Sequence, residues 1–346
     1  MHLKHLLIVL LVMVNGCTLA ASSHSQAQNL SLNKVFRRVN PSVVEIASIQ
    51  RQTRGEDSDP SSVLGSGVVI SQEGQILTAA HVVQAAQTIL VRFLDGETAR
   101  ASIVSSATQA DVALLQLESM PSNLKPAVLG DSDTAEVGDK VMVIGAPYGI
   151  RHTMTVGHIS GRRQSQSPCP AMTPFEFLQT DAAINQGNSG GPMLDTEGKI
   201  IGIVSRILSR SGGSEGLWFA VGINSARRLL LESDSVWIGF DAILIAGNLA
   251  QALNVPQEAG LLVQKVAPNS LAARMGLQSG KIQAGLGDRK VLLGGDIILD
   301  IQGMTIEPST KNICALGNVV GGFTSESRIA MTILRNGRQV QLTSQP

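Results

Sequence analysis

Three side chains in this sequence have the types and neighbours needed for acyl-transfer chemistry: Ser189, His81 and Asp111. Ser189 lies in Asn185-Gln186-Gly187-Asn188-Ser189-Gly190-Gly191-Pro192, crowded by glycines. Glycine loses more backbone entropy on ordering than any other residue, so this crowding marks a sharp turn and a close approach to a ligand. Such a turn exposes a hydroxyl and aims N–H groups at one point, as a nucleophilic serine with an oxyanion hole requires. His81 ends the apolar run Ile76-Leu77-Thr78-Ala79-Ala80-His81, where small neighbours leave room for a ring to reach a serine. Asp111 opens Val112-Ala113-Leu114-Leu115-Gln116-Leu117. A buried carboxylate is costly unless paired, and an imidazole N–H would suit it and fix the ring tautomer. Singly, each motif also reads as a plain structural feature: a half-buried histidine, a cap aspartate, a glycine-rich loop.

Chain order narrows the choice. Gly187-Asn188-Ser189-Gly190-Gly191 also fits G-x-S-x-G, the nucleophile elbow of the α/β-hydrolases, but there the histidine follows the serine and a helix comes next. Here no histidine follows Ser189, and the β-branched run Lys199-Ile200-Ile201-Gly202-Ile203-Val204 reads as a strand. The order His81, Asp111, Ser189 is that of chymotrypsin, not subtilisin. Thr78-Ala79-Ala80-His81, Ala110-Asp111-Val112-Ala113-Leu114-Leu115, Asp181 to Pro192, and Gly65-Ser66-Gly67-Val68-Val69-Ile70 together resemble four blocks of the HtrA/Deg family of trypsin-like serine proteases. The resemblance runs from about Leu30 to the C-terminus.

That resemblance implies His81 as general base, Asp111 as its orienting partner and Ser189 as nucleophile, with the oxyanion held by the N–H groups of Gly187 and Ser189. It implies no cofactor. Trypsin-like specificity would place an acid where Ala183 stands, so small or medium aliphatic side chains are expected before the cleaved bond. Ile184, Leu217, Trp218 and Phe219 are expected in the pocket wall. Trp218 stands where the family usually has glycine; it either narrows the pocket or packs outward. The loop-rich stretch from Tyr148 to Pro174 would be the regulatory loop, and a homotrimer would form through the segment around Phe36. The expected function is endoproteolysis of unfolded or exposed polypeptides in envelope quality control. The competing expectation is a non-proteolytic chaperone or peptide-sensing adaptor on a protease-like scaffold.

The elements that must position these residues are short. From Val43 to Val221, β-rich runs such as Val43–Ile46, Ile89–Phe93 and Val141–Ile144 are broken by Gly, Asp and Pro, which predicts an all-β barrel or sandwich. The resemblance makes this two six-stranded β-barrels, chymotrypsin-like, within a protease domain over 31–232. Helices are predicted at Leu32–Val39 and Ser225–Glu232. A second, α+β module over 236–346 resembles a PDZ domain, whose loop Ile238-Gly239-Phe240 would hold the C-terminal carboxylate of a bound peptide. The same loop also reads as a strand start with a bulge glycine. The stretch Gln278 to Leu293 is extra relative to compact PDZ domains.

The composition agrees with a globular exported protein. The chain has 346 residues, 43% of them hydrophobic, enough for a sizeable core and about two domains. Aromatics are 3%, so the core must rest on Val, Ile, Leu and Ala. Lys+Arg and Asp+Glu are both 27, and this balance with no basic patch argues against nucleic-acid binding. No His-Glu-x-x-His or Cys-x-x-Cys motif supports a metal. Residues 1–20 read as a secretory leader, with Lys4 and His5 before an apolar run from Leu6 to Val14. That run is too short to span a membrane. Its end resembles a bacterial lipobox that would lipidate Cys17, the one membrane contact expected; Thr18-Leu19-Ala20 offers ordinary cleavage instead. Export to a bacterial periplasm or cell envelope follows, with residues 21–30 as a polar tether. Cys169 and Cys314 are expected to be free thiols in different domains.

Overall fold

The structure is a computed structural model. It describes residues 31–50, 61–84, 86–146, 152–165, 174–207, 217–233, 237–286, 289–324 and 326–344. The predicted leader, Cys17, the tether and Cys169 lie outside these residues.

Helix α1 (Leu32–Val39) leads into a closed antiparallel barrel of β1 (Val43–Gln50), β2 (Ser61–Val69), β3 (Gln75–Thr78), β4 (Thr88–Arg92), β5 (Thr98–Ala107) and β6 (Val112–Leu117). Its strand order is β1-β2-β3-β6-β5-β4, with the short helix α2 (Ala80–Val83) between β3 and β4. A second closed barrel, ordered β10-β11-β12-β9-β8-β7, comprises β7 (Lys140–Gly145), β8 (Thr153–Gln164), β9 (Glu176–Thr180), β10 (Pro192–Leu194), β11 (Ile200–Ile207) and β12 (Trp218–Gly222). Helix α3 (Ile223–Leu230) follows. This part of the chain is therefore two six-stranded β-barrels, as the resemblance implies.

Strand alternation explains how two barrels become one body. In β6, Val112 and Leu114 point to one face and Ala113, Leu115 and Leu117 to the other. The second set fills the interior of the first barrel. The first set joins a core shared between the barrels, with Val35 and Val39 of α1, Met142 and Ile144 of β7, and Ile223, Ala226 and Leu230 of α3. Because both faces of β6 are buried, its sequence is a nearly continuous apolar run.

The third unit is α+β. Its sheet is ordered β13-β14-β17-β19-β20, from β13 (Phe240–Ala246), β14 (Ala259–Val266), β17 (Ile297–Ile301), β19 (Ala330–Arg335) and β20 (Arg338–Thr343), with β18 (Met304–Thr305) paired to β17. Helices α4 (Gly247–Ala252), α5 (Leu271–Arg274) and α6 (Thr310–Gly321) complete it. The extra stretch Gln278 to Leu293 carries a separate hairpin of β15 (Ile282–Leu286) and β16 (Arg289–Leu293).

Two expectations are corrected. The described part of the stretch from Tyr148 to Pro174, residues 152–165 and 174, is mainly strand rather than loop. Among its described residues, β8 runs to Gln164, and Arg163 pairs with Phe177. The exposure of β8 alternates along Gly157–Gly161, the period of a strand with one buried face. The guanidinium of Arg162 donates to both carboxylate oxygens of Glu176 at 2.8 Å, which fixes the strand end. Secondly, Cys314 is not a free thiol; it is disulfide-bonded.

Candidate active site

His81 is carried by α2. Ala80, Val82 and Val83 turn into the first barrel and are fully buried, which leaves the imidazole outward and half exposed. Gly65 makes this fit possible, since a Cβ there would lie 2.7 Å from Val82 Cγ1. Asp111 ends a turn in which its N–H donates to the Thr108 carbonyl at 3.2 Å, and its φ is 61°. Asp is among the few residues that tolerate that left-handed conformation. The turn brings its carboxylate beneath α2, where Oδ1 accepts the His81 backbone N–H at 2.9 Å. His81 Nδ1 lies 2.9 Å from Oδ1 and 2.8 Å from Oδ2. Nδ1–H therefore faces the carboxylate, and Nε2 is left with the lone pair.

A further group completes this arrangement. The buried Ser205 hydroxyl, on β11 of the other barrel, donates to Asp111 Oδ2 at 2.7 Å. Burial pushes the Asp111 carboxyl up. The hydrogen bond and charge of His81, the Ser205 hydroxyl and the His81 N–H outweigh that and hold it below its ordinary value.

Ser189 lies in the loop between β9 and β10. The Asn188 N–H donates to the Asn185 carbonyl at 3.0 Å, and Gly187 takes φ 103°. That is the position of a type II turn that favours glycine. Gly190 has φ 86°, and a Cβ on it would collide with the Ser66 carbonyl oxygen and Thr78 Oγ1. The first barrel grips this loop through Ser66. Its N–H donates to the Ser189 carbonyl at 2.8 Å, and its hydroxyl donates to the Gly187 carbonyl at 2.7 Å while accepting from the Ala146 N–H at 2.9 Å. Among the described residues, the N–H groups of Gly187 and Ser189 make no hydrogen bond. The Ser189 hydroxyl makes only a long contact, 3.4 Å to the Ser205 carbonyl.

The expected pocket residues separate into two groups. Ala183 and Leu217 are exposed, whereas Ile184 and Trp218 are buried in one cluster inside the second barrel. Trp218 therefore packs inward, 6% exposed, with its backbone paired to Thr180. Phe219 stacks edge-on against Phe177 with ring centres 6.2 Å apart. In the third unit, Gly239 has φ 83°, where a Cβ would strike Ser270, while Ile238 and Phe240 join that unit's core. The loop they form opens onto β13, an edge of the sheet.

Ser66 and Ser205 are the functional residues that reading the sequence alone overlooks. Ser66 stands inside the block Gly65 to Ile70, where nothing local marks its role. Ser205 likewise has no local signal; it follows Ile203-Val204 and precedes Arg206 in β11.

Residues 65–203 match the family model of the trypsin-like peptidase domain. A protein named probable periplasmic serine endoprotease DegP-like, from Halomonas elongata, is 36% identical over 292 residues, which cover 83% of this chain and 56% of that protein. One of the same name from Pseudomonas putida strain GB-1 is 36% identical over 298 residues, covering 84% and 57%. The chain thus spans a little over half the length of these curated relatives. The solved structure of the HtrA-type protease AlgW with tripeptide is 32% identical, with a TM-score of 0.52, covering 91% of this chain and 96% of that one. The blocks around His81, Asp111 and Ser189, the paired barrels that carry them and these likenesses agree: the chain belongs to the HtrA/Deg family of trypsin-like serine proteases.

Proposed function

We propose that this protein is a serine endopeptidase of the bacterial periplasm or cell envelope that hydrolyses peptide bonds in unfolded or exposed polypeptides. The observation that carries this reading is the His81 ring, bonded through Nδ1 to Asp111, beside a serine loop with two unbonded N–H groups. Ser189 Oγ attacks the scissile carbonyl carbon while His81 Nε2 takes its proton. Asp111 stabilises the imidazolium, and the N–H groups of Gly187 and Ser189 receive the oxyanion. His81 then protonates the departing amine. Water attacks the acyl-enzyme, giving a proton to His81 that returns to Ser189 as the acid leaves. The contact to the Ser205 carbonyl is long enough to break at little cost when Ser189 turns toward the ring.

Ala183 favours small or medium aliphatic side chains before the cleaved bond, with Leu217 at the accessible rim and Ile184, Trp218 and Phe219 as the supporting wall. The unit over 236–346 acts as a PDZ domain. Its Ile238-Gly239-Phe240 loop takes a peptide C-terminus, and edge strand β13 pairs with the peptide as an added strand. Residues 31–232 form the protease domain, which assembles as a homotrimer through the segment around Phe36. Residues 1–20 carry the export signal, which is processed either by lipidation of Cys17 or by ordinary cleavage after Thr18-Leu19-Ala20.

Casein digestion by wild type and by Ser189→Ala tests the activity. The variant is expected to lose digestion and covalent labelling by a fluorophosphonate. Equal digestion by both proteins would end the assignment in favour of a chaperone or adaptor.

A further inference from the structure

The stretch Gln278 to Leu293 forms a hairpin, β15 with β16, that stands outside the main sheet of the third unit. A lone two-stranded hairpin is marginal in water, and this one is held at its foot. The Gln278 N–H donates to Asp296 Oδ2 at 2.7 Å, and the buried Asp296 carboxylate also accepts two bonds from the Arg335 guanidinium at 2.7 Å. The buried Gln264 amide, on β14, clasps the backbone of Leu292: the Leu292 N–H donates to Oε1 at 2.7 Å, and its carbonyl accepts from Nε2 at 3.1 Å. This clasp fixes which edge of the hairpin stays open. Along an antiparallel strand, successive residues turn their backbone groups alternately to the partner and to the outside. Leu292 turns outward to Gln264, so Val291 and Leu293 turn to Ala284 and Ile282 of β15. In β15 the N–H and carbonyl groups of Gln283 and Gly285 therefore face away from β16. Among the described residues they meet no partner. Gly285 adds no side chain to this edge, and a Cβ there would meet nothing within 4 Å. Ile282 and Leu286 share one face of β15, 63% and 44% exposed. They stand about 14 Å apart along the strand.

We propose that β15 is a second polypeptide-binding strand, which takes an extended segment of alternating aliphatic and acidic residues as an added strand at its open edge. The outward N–H and carbonyl groups of Gln283 and Gly285 supply main-chain bonds, and Ile282 and Leu286 cover the aliphatic side chains of the incoming segment. Charge selects the partner. Lys281 and Lys290 are exposed, and residues 278–293 hold Lys281, Arg289 and Lys290 against one acid, Asp288. Lys290 pairs with Gly285, so it lies on the face opposite Ile282 and Leu286 with no side chain between it and the open edge. The acidic residues of the segment meet this face. A second copy of the hairpin would instead set like charges side by side, which is destabilising. The site differs from edge strand β13 in needing no free C-terminus, because all its donors and acceptors are groups within a strand. It holds one part of an unfolded chain while another part is cut. That use rests on the serine endopeptidase reading; the binding itself does not.

Fluorescence anisotropy of a labelled Val-Glu-Val-Glu-Val peptide with the full-length Ser189→Ala chain tests the site. The peptide is amidated at its C-terminus, which removes the carboxylate that the Ile238-Gly239-Phe240 loop would hold. Ile282→Ser combined with Leu286→Ser is expected to weaken binding about tenfold through lost apolar burial. Gly285→Pro removes one outward N–H without touching the ladder and is expected to weaken it also. A Val-Lys-Val-Lys-Val peptide is expected to bind the unmodified hairpin about tenfold more weakly than the acidic one, a comparison that needs no hairpin variant to fold. Equal affinity for the two peptides, or equal affinity of the parent and both hairpin variants, would overturn the proposal. So would self-association, or binding to phosphatidylglycerol vesicles, that the variants lose while their peptide affinity is unchanged. Casein digestion then tests the use of the site: in the chain with Ser189 intact, the hairpin variants are expected to raise KM for casein. No casein digestion by wild type, with the peptide pattern as expected, would instead count against the endopeptidase reading.

Discussion

The Ser205 hydroxyl reaches from the second barrel to Asp111 Oδ2 in the first, at 2.7 Å. The carboxylate is thus fixed from both sides, by His81 of its own barrel and by a serine of the other. The orientation of the imidazole depends on how the two barrels close on each other.

Ser205→Ala removes a hydrogen bond to a charged group, worth about 1.5–3 kcal/mol, so kcat should fall roughly ten- to a hundredfold with KM little changed. Steady-state cleavage of a peptide substrate checks this. A kcat equal to wild type would show that His81 alone positions Asp111.

Ser66→Ala strips a partner from both the Gly187 carbonyl and the Ala146 N–H. Turnover should fall on the order of tenfold, less than the 10²–10³ lost with an oxyanion donor itself. The fold should persist by circular dichroism. If turnover falls only in step with the folded fraction, Ser66 is a purely structural residue.

Two glycines separate backbone strain from steric exclusion. Gly96 has φ 90° with open space around it, so Gly96→Ala should cost only about 1–2 kcal/mol of conformational strain. Gly190→Ala adds a collision with the Ser66 carbonyl and Thr78, and should abolish fluorophosphonate labelling. Labelling of Gly190→Ala at the wild-type rate would refute the packing of the serine loop against β2.

The pH dependence of stability follows from Asp111. Its carboxyl is held below its unfolded value, near 3.9. The unfolded chain therefore binds more protons at this site as pH falls. The stabilisation is complete above about pH 4 and is lost as pH drops through the lower, folded pKa. Wild type should exceed Asp111→Asn in thermal midpoint at pH 7, and the gap should narrow below about pH 4. A gap independent of pH across that window would contradict the assignment.

Trp218 is a buried side chain in the second barrel's cluster with Ile184 and Leu178. Trp218→Ala should destabilise the protease domain by about 3–5 kcal/mol. Calorimetry checks this; an unshifted transition would mean that the indole is not packed in the core.

The three candidate catalytic residues are legible in the sequence because their local contexts, ambiguous singly, agree on one chemistry when taken together in chain order. Glycines surround Ser189, small residues precede His81, and an apolar strand follows Asp111. The strands are legible for a related reason. Residues 112–115 and 200–204 are buried on both faces, and their largely aliphatic runs record that burial along the chain. Helix α3 starts two residues before its predicted position: Asn224 is of a type that favours an N-cap, but the helix is capped at Gly222 with no side-chain hydrogen bond.

Other features have no local record. Ser66 and Ser205 are serines in strands, and their neighbours do not distinguish them from ordinary polar positions. They matter because closing two barrels on a shared core brings Ser66 to the Gly187 carbonyl, 121 residues away, and Ser205 to Asp111, 94 residues away. The sequence by itself determined the candidate catalytic groups and the short strands that hold them, because glycine content and apolar periodicity are local properties. Only the tertiary structure decided how those groups are oriented, since hydrogen bonds to Asp111 and to the serine loop come from strands far away in the chain and in the opposite barrel.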